Sequence, residues 1–205
     1  MALQFVFDYR SPYAFLASSR LPGLAEAVDY FPVDVLAVMR KVHNQPSPEC
    51  PAKARYSALD AGRWARLYDL PMAPNTALFK ALRAGEFDGA WLSRAALAAL
   101  ELGVFHSVHS ALFNAVWAGT DDLVSAQGRT AFLRKQGIDA DIWALAESPA
   151  IREKLTSNDD MAASRGVFGV PSFFVGEELF FGNDRLEHVR AALAAFPSQS
   201  VGVQA

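Results

Sequence analysis

A second cysteine is missing. Cys50 stands alone in 205 residues, so no intrachain disulfide can close and no dithiol cycle can run. No run of about 18 uncharged apolar residues is present, so no helix of the sequence is expected to cross a bilayer. Charge of one sign is scarce as well. The formal net charge of −3 is spread along the chain without a basic stripe, which argues against nucleic acid as the main ligand. The start, Met1-Ala2-Leu3-Gln4, lacks the basic and apolar regions of a secretion signal. Together with the lone cysteine, these absences predict a protein of the reducing cytoplasm. Low-complexity tracts are absent too, and an apolar content of 52% is ample for a full core.

What is present reads as a divided α/β unit. Residues 3–9 form an apolar, alternating strand, and Ser11-Pro12 is a strong helix start: a hydroxyl cap, then proline at the first helical position. That helix runs toward Val28 with a break near Pro22-Gly23, and residues 30–35 read as a second strand. From Met39 to Pro51 the chain is irregular. From about Lys53 to Leu155 it is helical in pattern, with apolar residues at i, i+3 and i+4 over 54–68, 75–84, 93–102 and 105–117, and with glycines between the runs. A short helix over 159–165 precedes strands at 172–175 and 178–181. A last helix over 184–196 and a loose tail from Pro197 complete the chain. This order, β-α-β then helices then β-β-α, predicts a thioredoxin-like fold with a large all-helical insertion. Residues 1–40 and 158–197 would make the thioredoxin-like domain, and 41–157 the loop and insertion packed tightly over it.

The chemistry gathers at the strand-to-helix corner. Ser11 occupies the place where a redox enzyme of this layout carries its first cysteine, and Ala14 the place of the second. Such a site is built for a thiol yet supplies none, which points to a borrowed one, with glutathione as the candidate cofactor. The free amides of a helix start and the Ser11 hydroxyl would stabilise a thiolate docked there; the alternative is that Ser11 only caps its own helix. Val170-Pro171, before the first of the two late strands, suits a cis peptide that offers the Val170 backbone to the cysteinyl unit of glutathione. An ordinary strand-start proline is the other reading. Asn183 or Asp184 caps the last helix. Asp184 would pair with the γ-glutamyl ammonium, leaving Arg185 for a salt bridge or a carboxylate. Lys41-Val42-His43-Asn44 and the segment from Cys50 to Tyr56 supply cations and amides for a substrate carboxylate, unless they are solvated loop.

Other candidates carry less. His106 and His109 lack a third metal ligand and read as surface or packing residues. Asp121-Asp122 and Asp159-Asp160 read as helix caps, and Trp64, Trp91, Trp117 and Trp143 as core. Cys50, in a proline-flanked loop, reads as structural.

The segments Phe7-Asp8-Tyr9-Arg10-Ser11-Pro12-Tyr13, the proline-rich stretch from Asn44 to Lys53, Gly166 to Pro171, and Phe180 to Arg185 together resemble the 2-hydroxychromene-2-carboxylate isomerases. That family stands with the kappa-class glutathione transferases in the DsbA-like thioredoxin superfamily, and the resemblance spans essentially the whole chain. It implies a glutathione-dependent isomerase of naphthalene-type aromatic catabolism. The enzyme would interconvert 2-hydroxychromene-2-carboxylate and trans-o-hydroxybenzylidenepyruvate, with a small aromatic carboxylate as partner and a homodimer as the assembly. By matching position, the resemblance gives Ser11 the activation of the thiol. Val170, Pro171, Asn183, Asp184 and Arg185 would hold glutathione, and Lys41, Asn44 and Lys53 would lie near thiol or substrate. A kappa-class transferase that conjugates an electrophile, and a non-catalytic thioredoxin-like binding module, are the rival readings.

Overall fold

A computed structural model describes residues 3–195. Strand β1 (Leu3–Phe7) ends two residues earlier than its apolar pattern, because Asp8 turns its carboxylate to the Arg10 main-chain and side-chain N–H groups. Helix α1 (Pro12–Ser18) starts as predicted: Ser11 is its N-cap, Oγ accepts from Ala14 N–H at 3.2 Å, and Pro12 fills the first position. It is shorter than expected, and the Pro22-Gly23 break is a single 3-10 turn, Leu21–Gly23. Strand β2 (Val28–Pro32) begins earlier than read.

Asp34 then caps α2 (Val35–Lys41), a helix in place of the expected strand end and irregular segment; its Oδ1 accepts from Leu36 N–H at 3.1 Å. The sheet has the order β2-β1-β3-β4, with β3 (Ser172–Val175) and β4 (Glu178–Phe181) where the sequence sets them. β1 runs parallel to β2 and antiparallel to β3.

Between the two halves lie α3 (Pro51–Leu67), α4 (Thr76–Ala84), α5 (Ala90–Glu101), α6 (Phe105–Trp117), α7 (Ala126–Lys135), α8 (Ile142–Ala146) and α9 (Pro149–Ser164). α9 is more than twice as long as its predicted 159–165 and passes through the expected junction at 157/158. It starts on Ser148-Pro149, the same cap-then-proline signal as Ser11-Pro12. Consequently Asp159 and Asp160 are mid-helix residues rather than caps. A 3-10 turn, Asn183–Arg185, leads into α10 (Leu186–Ala195). Phe196, the boundary at 197 and the expected tail lie outside the described residues.

Insert and sheet share one core. Phe5 and Phe7 of β1 and Phe173 of β3 are fully buried on the face covered by Phe105, Val108, Leu112 and Phe113 of α6. The Phe7 and Phe113 ring centroids lie 5.9 Å apart. The opposite face packs Val6 and Phe174 against Val38 of α2, Ala162 of α9 and Val170. His109 is core, as one of its two readings had it. Its Nδ1 lies 3.0 Å from the Tyr9 hydroxyl, its Nε2 3.0 Å from Ser18 Oγ, and burial pushes its pKa down to about 3. Trp91, Trp117 and Trp143 are buried, whereas Trp64 is only partly so. Among the described residues no helix is long and apolar enough to cross a membrane.

Candidate active site

The corner after β1 and the loop before β3 meet at one point. Ser11 Oγ donates to the Val170 carbonyl at 3.2 Å, and the Val170–Pro171 peptide bond is cis, as its context predicts. The Pro171 carbonyl accepts Gly182 N–H at 2.9 Å, which draws the 3-10 turn alongside. That turn also packs on α1. Ser11, the Val170-Pro171 loop and the turn carrying Asn183 therefore converge from three stretches of sequence. α1 begins here, with no N–H at Pro12 and Ala14 N–H taken by Ser11 Oγ, so Tyr13 N–H is the first-turn amide left without a helical acceptor.

Asn183 is the unusual member. It is buried, yet its Nδ2 has no hydrogen-bond partner, while its main-chain carbonyl accepts from the Tyr68 hydroxyl at 3.4 Å. A buried amide left without an acceptor costs about 1–3 kcal/mol, and such groups are normally satisfied. Asp184 and Arg185 are half-exposed and joined to each other at 2.8 Å. Gly182, at φ +107°, turns the chain so tightly that a Cβ there would stand 2.4 Å from Asp184 Oδ1. Only glycine fits this turn.

The three residues offered for substrate are spread out. Lys53 lines an open cavity of about 390 Å³ with Tyr13, Ser47, Ala52, Tyr56 and Ser57. Tyr13 belongs to the first turn of α1, which ties this cavity to the helix that starts at Ser11. The Tyr13 hydroxyl donates to Asp60 at 3.0 Å; mainly through burial, its pKa is pushed up to about 12. Asn44 is fixed to the cis-proline loop, its Nδ2 donating to the Phe168 carbonyl at 2.7 Å. Lys41, at the end of α2, pairs with Asp160 of α9 at 2.7 Å. Asp160 raises its pKa, and no contact of that ammonium leads to Ser11 among the described residues. Cys50, the extended residue before Pro51, is the N-cap residue of α3 and is partly buried.

One part of the corner has no single-segment signature. Arg10 is partly buried between two carboxylates: Nη2 meets Asp8 Oδ2 and Asp34 Oδ1 at 2.5 Å each. Burial lowers the guanidinium pKa, but Asp8 and then Asp34 outweigh it and raise it overall. Gly89 leaves the room, since a Cβ there would come 2.5 Å from Arg10 Nη1. The Asp8-x-Arg10 spacing was the only sequence hint.

The sequence profile of the DSBA-like thioredoxin domain matches residues 2–194. The 2-hydroxychromene-2-carboxylate isomerase of Pseudomonas sp. (strain C18) is 29% identical over 205 residues, covering 95% of this chain and 91% of that protein. The glutathione S-transferase kappa 1 of Caenorhabditis elegans is 22% identical over 95% of this chain and 91% of its own. A solved 2-hydroxychromene-2-carboxylate isomerase superposes with a TM-score of 0.79 at 27% identity, over 95% of both chains.

Proposed function

The chain belongs to the DSBA-like thioredoxin domain family, and on that premise we propose that it is a glutathione-dependent isomerase interconverting 2-hydroxychromene-2-carboxylate and trans-o-hydroxybenzylidenepyruvate. The isomerase part rests on the named isomerase relatives, which match nearly end to end in sequence and in fold. The glutathione part rests on the unpartnered Asn183 amide beside Ser11, a donor waiting for an acceptor, and on the absence of sulfur at positions 11 and 14. When bound, glutathione supplies a thiolate that adds reversibly to a conjugated carbon, so the double bond becomes rotatable and no net oxidation occurs.

The residues divide the work of holding and orienting. The Ser11 hydroxyl turns from the Val170 carbonyl to donate to the sulfur, and the first-turn amides of α1 add to the positive field that lowers the thiol pKa. Val170, held by the turn at Pro171, offers its backbone to the cysteinyl unit. Asn183 Nδ2 donates to the γ-glutamyl carboxylate, Asp184 takes the γ-glutamyl ammonium, and Arg185 takes a carboxylate. Lys53 attracts the substrate carboxylate, Asn44 and Lys41 are further polar candidates for it, and Tyr13 and Tyr56, which line the same cavity as Lys53, flank its ring. The reading extends to a homodimer in the cytoplasm that serves naphthalene-type catabolism. The exposed row Tyr56, Leu59 and Leu67 on α3 is apolar surface suited to a second copy.

The deciding experiment mixes protein, glutathione and the chromene acid and follows absorbance, then recovers glutathione. Isomer formation with glutathione returned free supports the reading. A stable conjugate would make the protein a kappa-type transferase, and no reaction of either kind would sink the enzyme.

A further inference from the structure

Asp159 lies in the middle of α9, is 4% exposed, and has no part in the function proposed above. Its Oδ1 accepts Asp34 N–H at 2.8 Å across the packing of α9 on α2. The Asp34 carboxylate caps α2 and grips Arg10. Arg10 grips Asp8, and the Asp8 main-chain carbonyl accepts Ser11 N–H at 3.0 Å. An unbroken chain of hydrogen bonds thus leads from α9 to the corner.

The charges along it do not balance. Asp8 and Arg10 come from the end of β1, Asp34 and Lys41 from α2, Asp159 and Asp160 from α9. Lys41 is taken by Asp160, and Arg10 is divided between Asp8 and Asp34. On α5, which also packs on α9, Arg94 is held by Asp88 and Glu147, and Glu101 by Lys154. On β2, Asp29 is bonded to Gln4. Asp159 is therefore a buried carboxylate joined to the partly buried Asp34 and, through it, to the buried Asp8, with no salt-bridge partner of its own among the described residues.

We propose that Asp159 is a positioning residue for Ser11, its charge state transmitted to the corner through Asp34, Arg10 and Asp8. Protonated, it still accepts the Asp34 N–H while Arg10 balances two carboxylates. Ionised, it makes a third negative charge that repels Asp34 and Asp8, and the Asp34–Arg10 link beside Ser11 carries that repulsion. Burial first, then Asp34 and Asp8, push its pKa up to about 7 against the pull of Asp34 N–H and Lys41. Of the other deeply buried titratable groups near the corner, His109 is held neutral by burial and the Tyr9 phenol is held protonated by burial and Tyr30. The consequence for function rests on Ser11 activating glutathione: above neutral pH the extra charge opposes a thiolate at the corner.

The test starts without ligand. Proton–nitrogen NMR spectra from about pH 5.5 to about 8.5, a window centred on the shifted acid, follow the Asp34 and Ser11 amides and Arg10 Nε–H. A common step near 7 is expected in wild type and is expected to vanish in Asp159→Asn, which keeps an acceptor for Asp34 N–H. Lys41→Met removes a lowering charge and should move the step upward, a readout that survives if Asp159→Asn fails to fold. A step confined to Asp34, persisting in Asp159→Asn, or unmoved in Lys41→Met overturns the proposal. With glutathione and the chromene acid, the ratio of kcat/KM at high to low pH should be larger in Asp159→Asn than in wild type, and an equal ratio also overturns it. Inactive wild type would defeat the isomerase reading while leaving the titration to be judged by itself.

Discussion

The Ser11 hydroxyl and the Val170 carbonyl, 159 residues apart in sequence, stand 3.2 Å from each other. This contact locks the β1–α1 corner to the loop before β3. It also uses the hydroxyl's only proton in the unliganded protein, while Ala14 N–H uses one of its lone pairs. Turning that proton toward sulfur exchanges a neutral hydrogen bond for a charge-assisted one, which is the stronger of the two.

Replacing Ser11 by Ala tests that exchange. The fold should survive, with about 1 kcal/mol lost with the helix cap. Turnover should fall by about 10²–10³-fold, the usual cost of one donor aimed at developing charge. Thermal unfolding and initial rates measured on one preparation separate the two effects. Wild-type turnover in Ser11→Ala would remove Ser11 from the mechanism.

Asn183→Ala addresses the unpartnered amide. Removing it relieves an unmet buried donor, which offsets the space the side chain leaves, so stability should change little while glutathione binds about 10-fold more weakly, as for one lost hydrogen bond to a charged group. Calorimetric titration with glutathione reads this directly. Unchanged affinity would mean that the amide faces something else.

Much of this corner was legible and much was not, for physical reasons. Ser11-Pro12 and Val170-Pro171 are local signals, because capping and proline geometry act within a few residues. β3, β4 and α6 (Phe105–Trp117) also follow from local periodicity and turn chemistry. α2 was not read because its seven residues are too few for a helical period to emerge beside β-branched Val35 and Val38. Its Asp34 cap was the available clue. α9 was cut short although Ser148-Pro149 announced it. The Asp8–Arg10–Asp34–Asp159 chain joins three stretches of sequence by burial and charge, and no single-segment pattern reports that.

Asp159→Asn should also alter stability with pH. In the folded chain this acid holds its proton up to about 7, whereas the unfolded chain releases it near 4. Between those values the native state binds the extra proton, so stability contributed by this site is full below pH 4 and falls as pH rises to 7. Above 7 the wild type carries the whole penalty, at most about 4 kcal/mol for such a shift. Asp159→Asn should therefore be the more stable protein at pH 8 and lose that advantage toward pH 4. Denaturant midpoints at several pH values check this, and a pH-independent difference would contradict it.

Cys50 poses the last question, because the structure gives it something the sequence reading withheld. It is the N-cap residue of α3, a helix of 17 residues, and a thiol at such a place gains from the helix field. A rival mechanism would use this sulfur as nucleophile and need no glutathione. Against it, no side-chain cap bond engages the thiol, whereas the Ser11 hydroxyl accepts Ala14 N–H and donates to Val170. The cavity beside Tyr13 is lined by Ala52 and Lys53 and not by Cys50. Ser11 has the cis-proline loop and the unpartnered amide around it, so the sulfur should arrive from solution. Wild type and Cys50→Ala, both desalted and then titrated with glutathione, should be inactive at first and recover equally. Activity in desalted wild type that disappears in Cys50→Ala would transfer the chemistry from the Ser11 corner to the start of α3.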